Sequence, residues 1–200
     1  MNIPKLYRLS LDDVDKASDV LRDAFYNYPT FKYLFPDIDA RQRKLKTLME
    51  FFIKCGLLNG EVYAPSENIE GVAIWYDSGK VDLSLQDLFR AGLPLLVLGL
   101  NPALFIKLKG IGNAKKANRK KLMRGEYYLL DVIGVDPAFA GKGYGRLLIE
   151  SKLEQIKEQG MNCFVETSNT ENMDYYKHFG FDLLHKYGYG GLQSFCMLKE

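Results

Sequence analysis

Between residues 14 and 25 the apolar positions Val14, Ala17, Val20, Leu21, Ala24 and Phe25 recur at helical spacing, which predicts an amphipathic helix. Ser10 offers an N-capping hydroxyl, and Asp12 and Asp13 place negative charge at the positive end of the helix dipole. Regularity breaks at Pro29 and Pro36, so "YNYPTFKYLFPD" reads as an aromatic-rich loop packed over a neighbour. A second helix is predicted over 40–55, with Leu45, Leu48, Met49, Phe52 and Ile53 inward and Gly56 as its stop. The period then changes. "EVYAP" and "EGVAIWYD" are short β-like runs across a polar turn, hence a hairpin, and residues 82–124 return to helix in pieces. From Tyr127 the dense run "YYLLDVIGV" suits a central strand buried on both faces. Residues 146–159 read as a helix burying Leu147, Leu148, Leu153 and Ile156 and stopping at Gly160, and "MNCFVET" reads as a second central strand. That order of strand, helix and strand predicts parallel neighbours joined by a right-handed crossover. A short helix in "SNTENMDYYKHFGF" and a closing hairpin turning at Gly190-Gly191 complete an α/β (α+β) pattern.

Composition narrows little. At 200 residues the expectation is one domain spanning 1–200, with a helical insertion at about 82–124. A net charge of +2 gives no reason to invoke nucleic acid or an anionic membrane surface. The basic run "NAKKANRKKLMRG" reads as a solvated helix face. Cys55, Cys163 and Cys196 are far apart with no CxxC pair, so neither a metal site nor a disulfide framework is expected, and Cys163 reads as a small buried hydrophobe. "MNIPKLYRLSLDD" has no apolar signal core, which makes a reducing cytoplasm the expected location. The apolar stretch 91–108 is interrupted by Pro94, Gly99, Asn101 and Pro102, well short of the ~20 residues a span needs, so a pocket-lining helical pair is expected there.

The chemistry concentrates in "VDPAFAGKGYGRLL", residues 135–148. Glycines just before a helix let an anion approach unpaired N–H groups at the positive end of the dipole. The P-loop pattern fails, because Lys142 is followed by Gly143 with no hydroxyl residue for magnesium. The dinucleotide pattern fails too, with Leu148 where a third glycine or alanine would fall.

With Val135 and Pro137 ahead of Ala140-Gly141-Lys142-Gly143-Tyr144-Gly145, the stretch resembles the pyrophosphate loop of the GNAT superfamily, the acyl-CoA-dependent N-acyltransferases. That loop reads Gln/Arg-x-x-Gly-x-Gly/Ala, and Ala140 departs from its first position. Tyr176-Lys177-His178-Phe179-Gly180-Phe181 resembles the superfamily's Tyr-x-x-x-Gly-Phe signature, and Asn172 matches the asparagine that often opens its helix. Residues 126–200 carry the likeness strongly and residues 1–80 only in outline. The arrangement around "GVAIWY" and the following insertion looks most like the group that includes puromycin-type antibiotic acetyltransferases.

The resemblance implies a mixed central sheet with two splayed parallel central strands and flanking helices. It implies acetyl-CoA as co-substrate, no metal, and transfer to a small-molecule primary amine by direct attack through a tetrahedral intermediate. Carried over, the amides of residues 141–146 hold the diphosphate, with Lys142 and Arg146 adding charge. The backbone of Ile133, Gly134 and Val135 pairs with the pantetheine arm. Ala140, Tyr144, Asn172 and Tyr175 complete the cofactor site, and Tyr176 matches the general acid, with Tyr175 as fallback.

The base stays open. Leu129 stands where some members carry a glutamate, leaving Asp131, Glu126, Glu166 or a water chain; Asp131 is favoured, because a carboxylate buried among apolar neighbours would be functional or paired. A non-catalytic acyl-CoA-binding module and a protein or peptide N-acetyltransferase are the competing functions. The expected assembly is a monomer or homodimer, without nucleic acid or membrane partners.

Overall fold

A computed structural model of the chain describes residues 5–200, so the reading of the first four residues lies outside the described part. The chain runs β1 (Tyr7–Arg8), α1 (Val14–Phe25), α2 (Pro29–Leu34), α3 (Ile38–Asn59), β2 (Glu61–Ala64), β3 (Gly71–Asp77), α4 (Leu85–Arg90), α5 (Leu93–Gly99) and α6 (Pro102–Leu122). It continues with β4 (Tyr127–Val135), α7 (Tyr144–Glu158), β5 (Asn162–Thr167), α8 (Thr170–Lys177), β6 (Asp182–Tyr189) and β7 (Leu192–Lys199). The strands form one mixed sheet in the order β1-β2-β3-β4-β5-β7-β6, in which β4 and β5 are the parallel pair.

Alternation along the strands sends side chains to two cores. On one face Val62, Ile74, Leu129 and Phe164 pack under α1, α3 and the insertion helices. On the other, Trp75, Leu130, Cys163 and Val165 pack under Leu148, Ile149 and Leu153 of α7 and Tyr176 of α8. All three cysteines are free and buried.

Local sequence accounts for the element boundaries. Ser10 and Asp13 pair ahead of α1, Ser10 N–H and Oγ both donating to Asp13 Oδ2 at 2.8 and 2.9 Å. The "YNYPTFKYLFPD" loop is instead partly helical, because Pro29 at the first helical position starts α2 rather than breaking the chain. The predicted stop at Gly56 is also displaced: α3 runs on to Asn59 and ends at Gly60. Gly56 serves packing, since a Cβ there would stand 2.7 Å from both Ile74 Cγ2 and Val62 Cγ2. Gly190 and Gly191, at φ 59° and 85°, turn the β6–β7 hairpin as expected.

The insertion is α4, α5 and α6. Leu96, Leu100 and Leu104 anchor it to the first core, while Leu85, Phe89, Leu95, Leu98 and Ile106 stay exposed. Among the described residues, no helix is long and apolar enough to cross a membrane. The basic run of α6 is only partly a solvated face. Lys116, Arg119 and Lys120 surround Asp82 at 3.1, 3.4 and 3.0 Å, and Lys115 turns toward Glu166.

Candidate active site

The parallel strands separate where the chemistry was expected. Pairing of β4 with β5 runs from Tyr127–Asn162 to Leu130–Val165 and stops there, while β4 continues to Val135 paired only with β3. Residues 131–135, Ile133, Gly134 and Val135 among them, thus present a backbone edge without a β5 partner. Gly134 also admits α1, because a Cβ would stand 2.8 Å from Ala24 Cβ.

A β-bulge governs Asp131. The β3–β4 register passes from Ile74–Val132 to Trp75–Leu130, leaving Asp131 as the extra residue. Leu129 and Val132 therefore face the same core although three positions apart. Asp131 is exposed, on the wall of a cavity, and not buried as expected, because the bulge takes it out of the alternation.

The glycine loop follows β4 directly. After a 3-10 turn at Pro137–Phe139, Gly141 and Gly143 adopt φ of 77° and 84°, a region costly for other residues, and Gly143 caps α7. Gly145 instead lies close to a side chain: a Cβ would lie 2.8 Å from Tyr175 Oη. Among the described residues, the N–H groups of Gly141, Gly143, Tyr144, Gly145 and Arg146 have no hydrogen-bond acceptor, whereas that of Lys142 donates to Phe139 O at 3.4 Å. Free donors in a row at a helix mouth have the chemistry that suits an anion. Ala140 is exposed ahead of it. The Lys142 ammonium lies 4.8 Å from the Phe139 ring centre, and Arg146 Nε donates to Glu150 at 2.9 Å.

At the splay lies a cavity of about 640 Å³, walled by the β4 and β5 ends, α1–α3, the insertion and α8. Tyr176 and Asn172 line it. Tyr176 is 4% exposed, and burial, with neighbouring Tyr28 and Tyr175, pushes its phenol far above the usual tyrosine range, so it holds its proton. Tyr175 is 41% exposed, tilted against Tyr176 at 6.0 Å between ring centres. Asn172 does not open α8: Asn169 caps it through Glu171 N–H, and Asn172 sits in the first turn, donating to Thr167 Oγ1 at 3.4 Å.

Lys115 and Glu166 join this group. Glu166 accepts the Tyr187 hydroxyl at 2.8 Å and faces Lys115 Nζ at 3.8 Å, with its side chain 5% exposed. Burial opposes the charge on Lys115, but the Glu166 and Asp131 carboxylates outweigh it and raise its pKa. Glu166 was one of the open candidates for base. Lys115 was missed, because nothing in a basic run distinguishes the lysine that faces inward. Glu126 is exposed and is not part of the cavity lining. Among the described residues, no cluster of three His, Cys, Asp or Glu could hold a metal.

Comparison with known proteins agrees with this geometry. Residues 102–181 match the sequence model of the Acetyltransferase (GNAT) family. An uncharacterised N-acetyltransferase of Schizosaccharomyces pombe is 29% identical over 180 residues, 87% of this chain and 72% of that protein. Mycothiol acetyltransferase of Rhodococcus erythropolis is 36% identical over 64 residues, 30% of this chain and 20% of that protein. The crystal structure of a histone acetyltransferase HPA2 and related acetyltransferase from Corynebacterium glutamicum superposes with a TM-score of 0.67 at 20% identity, covering 98% of this chain and 95% of that one. These relatives bear on the superfamily and not on its puromycin-type group. The sheet order, the splayed parallel strands and the glycine loop agree with these likenesses: residues 102–181 match the Acetyltransferase (GNAT) family model, and the chain as a whole has the fold of the solved acetyltransferases.

Proposed function

We propose that the protein transfers an acetyl group from acetyl-CoA to the primary amine of a small molecule. The observation that carries this reading is the run 131–146, where an open strand edge leads directly into a row of unpartnered amides at the mouth of α7. Coenzyme A makes two polar demands, donors for its diphosphate and backbone partners for its amide-bearing arm, and the two features fit them in the right order along the chain.

Acetyl-CoA, when bound, supplies an activated thioester carbonyl. The chain's residues do the rest. The amides of Gly141, Gly143, Tyr144, Gly145 and Arg146 hold the diphosphate, and Lys142 and Arg146 contribute charge beside it. Ile133, Gly134 and Val135 offer backbone groups to the arm, while Asn172 and Tyr175 flank it. Tyr176, kept protonated by burial, donates to the departing sulfur. Asp131 attracts the acceptor's ammonium and takes its proton at a carboxylate oxygen. Walls on several sides favour a small acceptor over a peptide.

The test is thiol release from acetyl-CoA across a panel of primary amines, with the acetylated product identified by mass. Amine-dependent thiol release is expected. Tight coenzyme A binding without it would assign the chain to acyl-CoA binding alone.

A further inference from the structure

We infer that the acceptor is an apolar amine: one ammonium on an aromatic or branched aliphatic body with no second ammonium. This rests on the acetyl-transfer reading and specifies what the cavity admits.

The cavity's charged groups form two clusters with different fates. At the insertion, Asp82 is surrounded by Lys116, Arg119 and Lys120 at 3.1, 3.4 and 3.0 Å. Three cations against one carboxylate leave this cluster at a net charge of +2, and Arg119 Nε is buried without a hydrogen-bond partner among the described residues, so a second cation is repelled from this end. Lys109, the remaining cation of the lining, is exposed to solvent. At the sheet end stand Asp131, Glu166 and Lys115, two carboxylates against one ammonium, a net charge of −1. Glu166 is occupied by Tyr187 and Lys115, while Asp131, carried out of register by the bulge, makes no side-chain hydrogen bond or ion pair among the described residues. One unsatisfied negative charge is thus aimed into the cavity, beside the open β4 edge.

Between the clusters the wall is apolar. Phe25, Phe31, Phe52 and Phe105 converge from four helices, with Leu96 and Leu108 between them. A second ammonium, as in a polyamine, would be buried there without a partner. A ring or branched chain is what this wall stabilises.

The experiment measures kcat/KM by thiol release for 2-phenylethylamine and 3-methylbutylamine against ethylamine, spermidine, free lysine and a lysine-containing peptide. Calorimetric binding of the same compounds runs in parallel. The apolar amines should exceed each of the others by at least about ten-fold in both readouts. Lys115→Met, which deepens the negative charge, should tighten 2-phenylethylamine by about three-fold or more and leave uncharged 2-phenylethanol unmoved. Preference for spermidine, lysine or the peptide would overturn the inference while leaving acetyl transfer standing. Binding in the expected order without thiol release would uphold the ligand class and overturn the transfer reading.

Discussion

The phenol of Tyr28 accepts the Ser168 backbone N–H at 2.8 Å and lies 2.8 Å from the Thr167 hydroxyl, fastening the entrance of α2 to the end of β5 across 140 residues of chain. Replacing it with Phe leaves the Ser168 amide unsatisfied in a part-buried position, a loss of about 1–3 kcal/mol. Tyr28→Phe should therefore lower the urea midpoint without changing the slope, and raise the acceptor KM because α2 walls the cavity. An unmoved midpoint would show that the latch is idle.

Gly143 caps α7 at φ 84°, where an L side chain costs roughly 1–2 kcal/mol. Gly143→Ala should lose about that much stability and raise the KM for acetyl-CoA, as the loop relaxes away from the geometry that exposes its amides. Gly145→Ala meets only the mobile end of Tyr175, so its stability loss should be smaller.

The proposed mechanism makes the phenol's own proton the functional group of Tyr176. Tyr176→Phe keeps the ring packed against Phe181 and should reduce kcat by about 100-fold with little change in the KM for acetyl-CoA. A kcat within about two-fold of wild type would remove Tyr176 from the chemistry.

Gly56→Ala pits two effects against each other. Helix propensity favours alanine by about 1 kcal/mol, but the added methyl meets Ile74 and Val62 at 2.7 Å, and overpacking of this kind costs about 1–3 kcal/mol. Both neighbours are stiff β-branched residues on paired strands, so net destabilisation is expected, read as a lower Tm.

Away from the site, Lys152 is 3% exposed and donates to Glu61 at 2.9 and 3.0 Å, with its ammonium 4.6 Å from the Tyr128 ring centre. Desolvation opposes ionisation of Glu61, but hydrogen bonds from Tyr63 and Lys152 outweigh it and hold its pKa below the usual carboxylate value. A folded-state pKa that is depressed contributes stability above the unfolded value, near ~4.3, and that contribution is lost as pH falls through the lower folded value. Tm against pH should show this acid limb in wild type and a flatter one in Lys152→Met, which should also be less stable at neutral pH.

Much of the architecture was legible because periodicity reports burial. The strand order around "YYLLDVIGV", the crossover helix and the Gly190-Gly191 turn follow from local pattern, and the loop glycines mark the left-handed turn ahead of α7. What escaped were features set by distant partners. Gly56 looks like a stop until the sheet side chains it faces are known. Pro29 looks like a break, although the same ring starts a helix as readily as it ends one. Asp131 looked buried because alternation was assumed to run through it, and a bulge is a property of two strands that one strand's letters do not carry. Lys115 is one cation among many until α6 is laid over β5.

The cavity draws its walls from separate stretches of chain: the face holding Asp131 and Tyr176 comes from β4, β5 and α8, and the opposite side from α1–α3 and the insertion. A substitution such as one at Phe105 can therefore reshape the helical side of the cavity while the face from β4, β5 and α8 is left unchanged, so the two sides can vary independently.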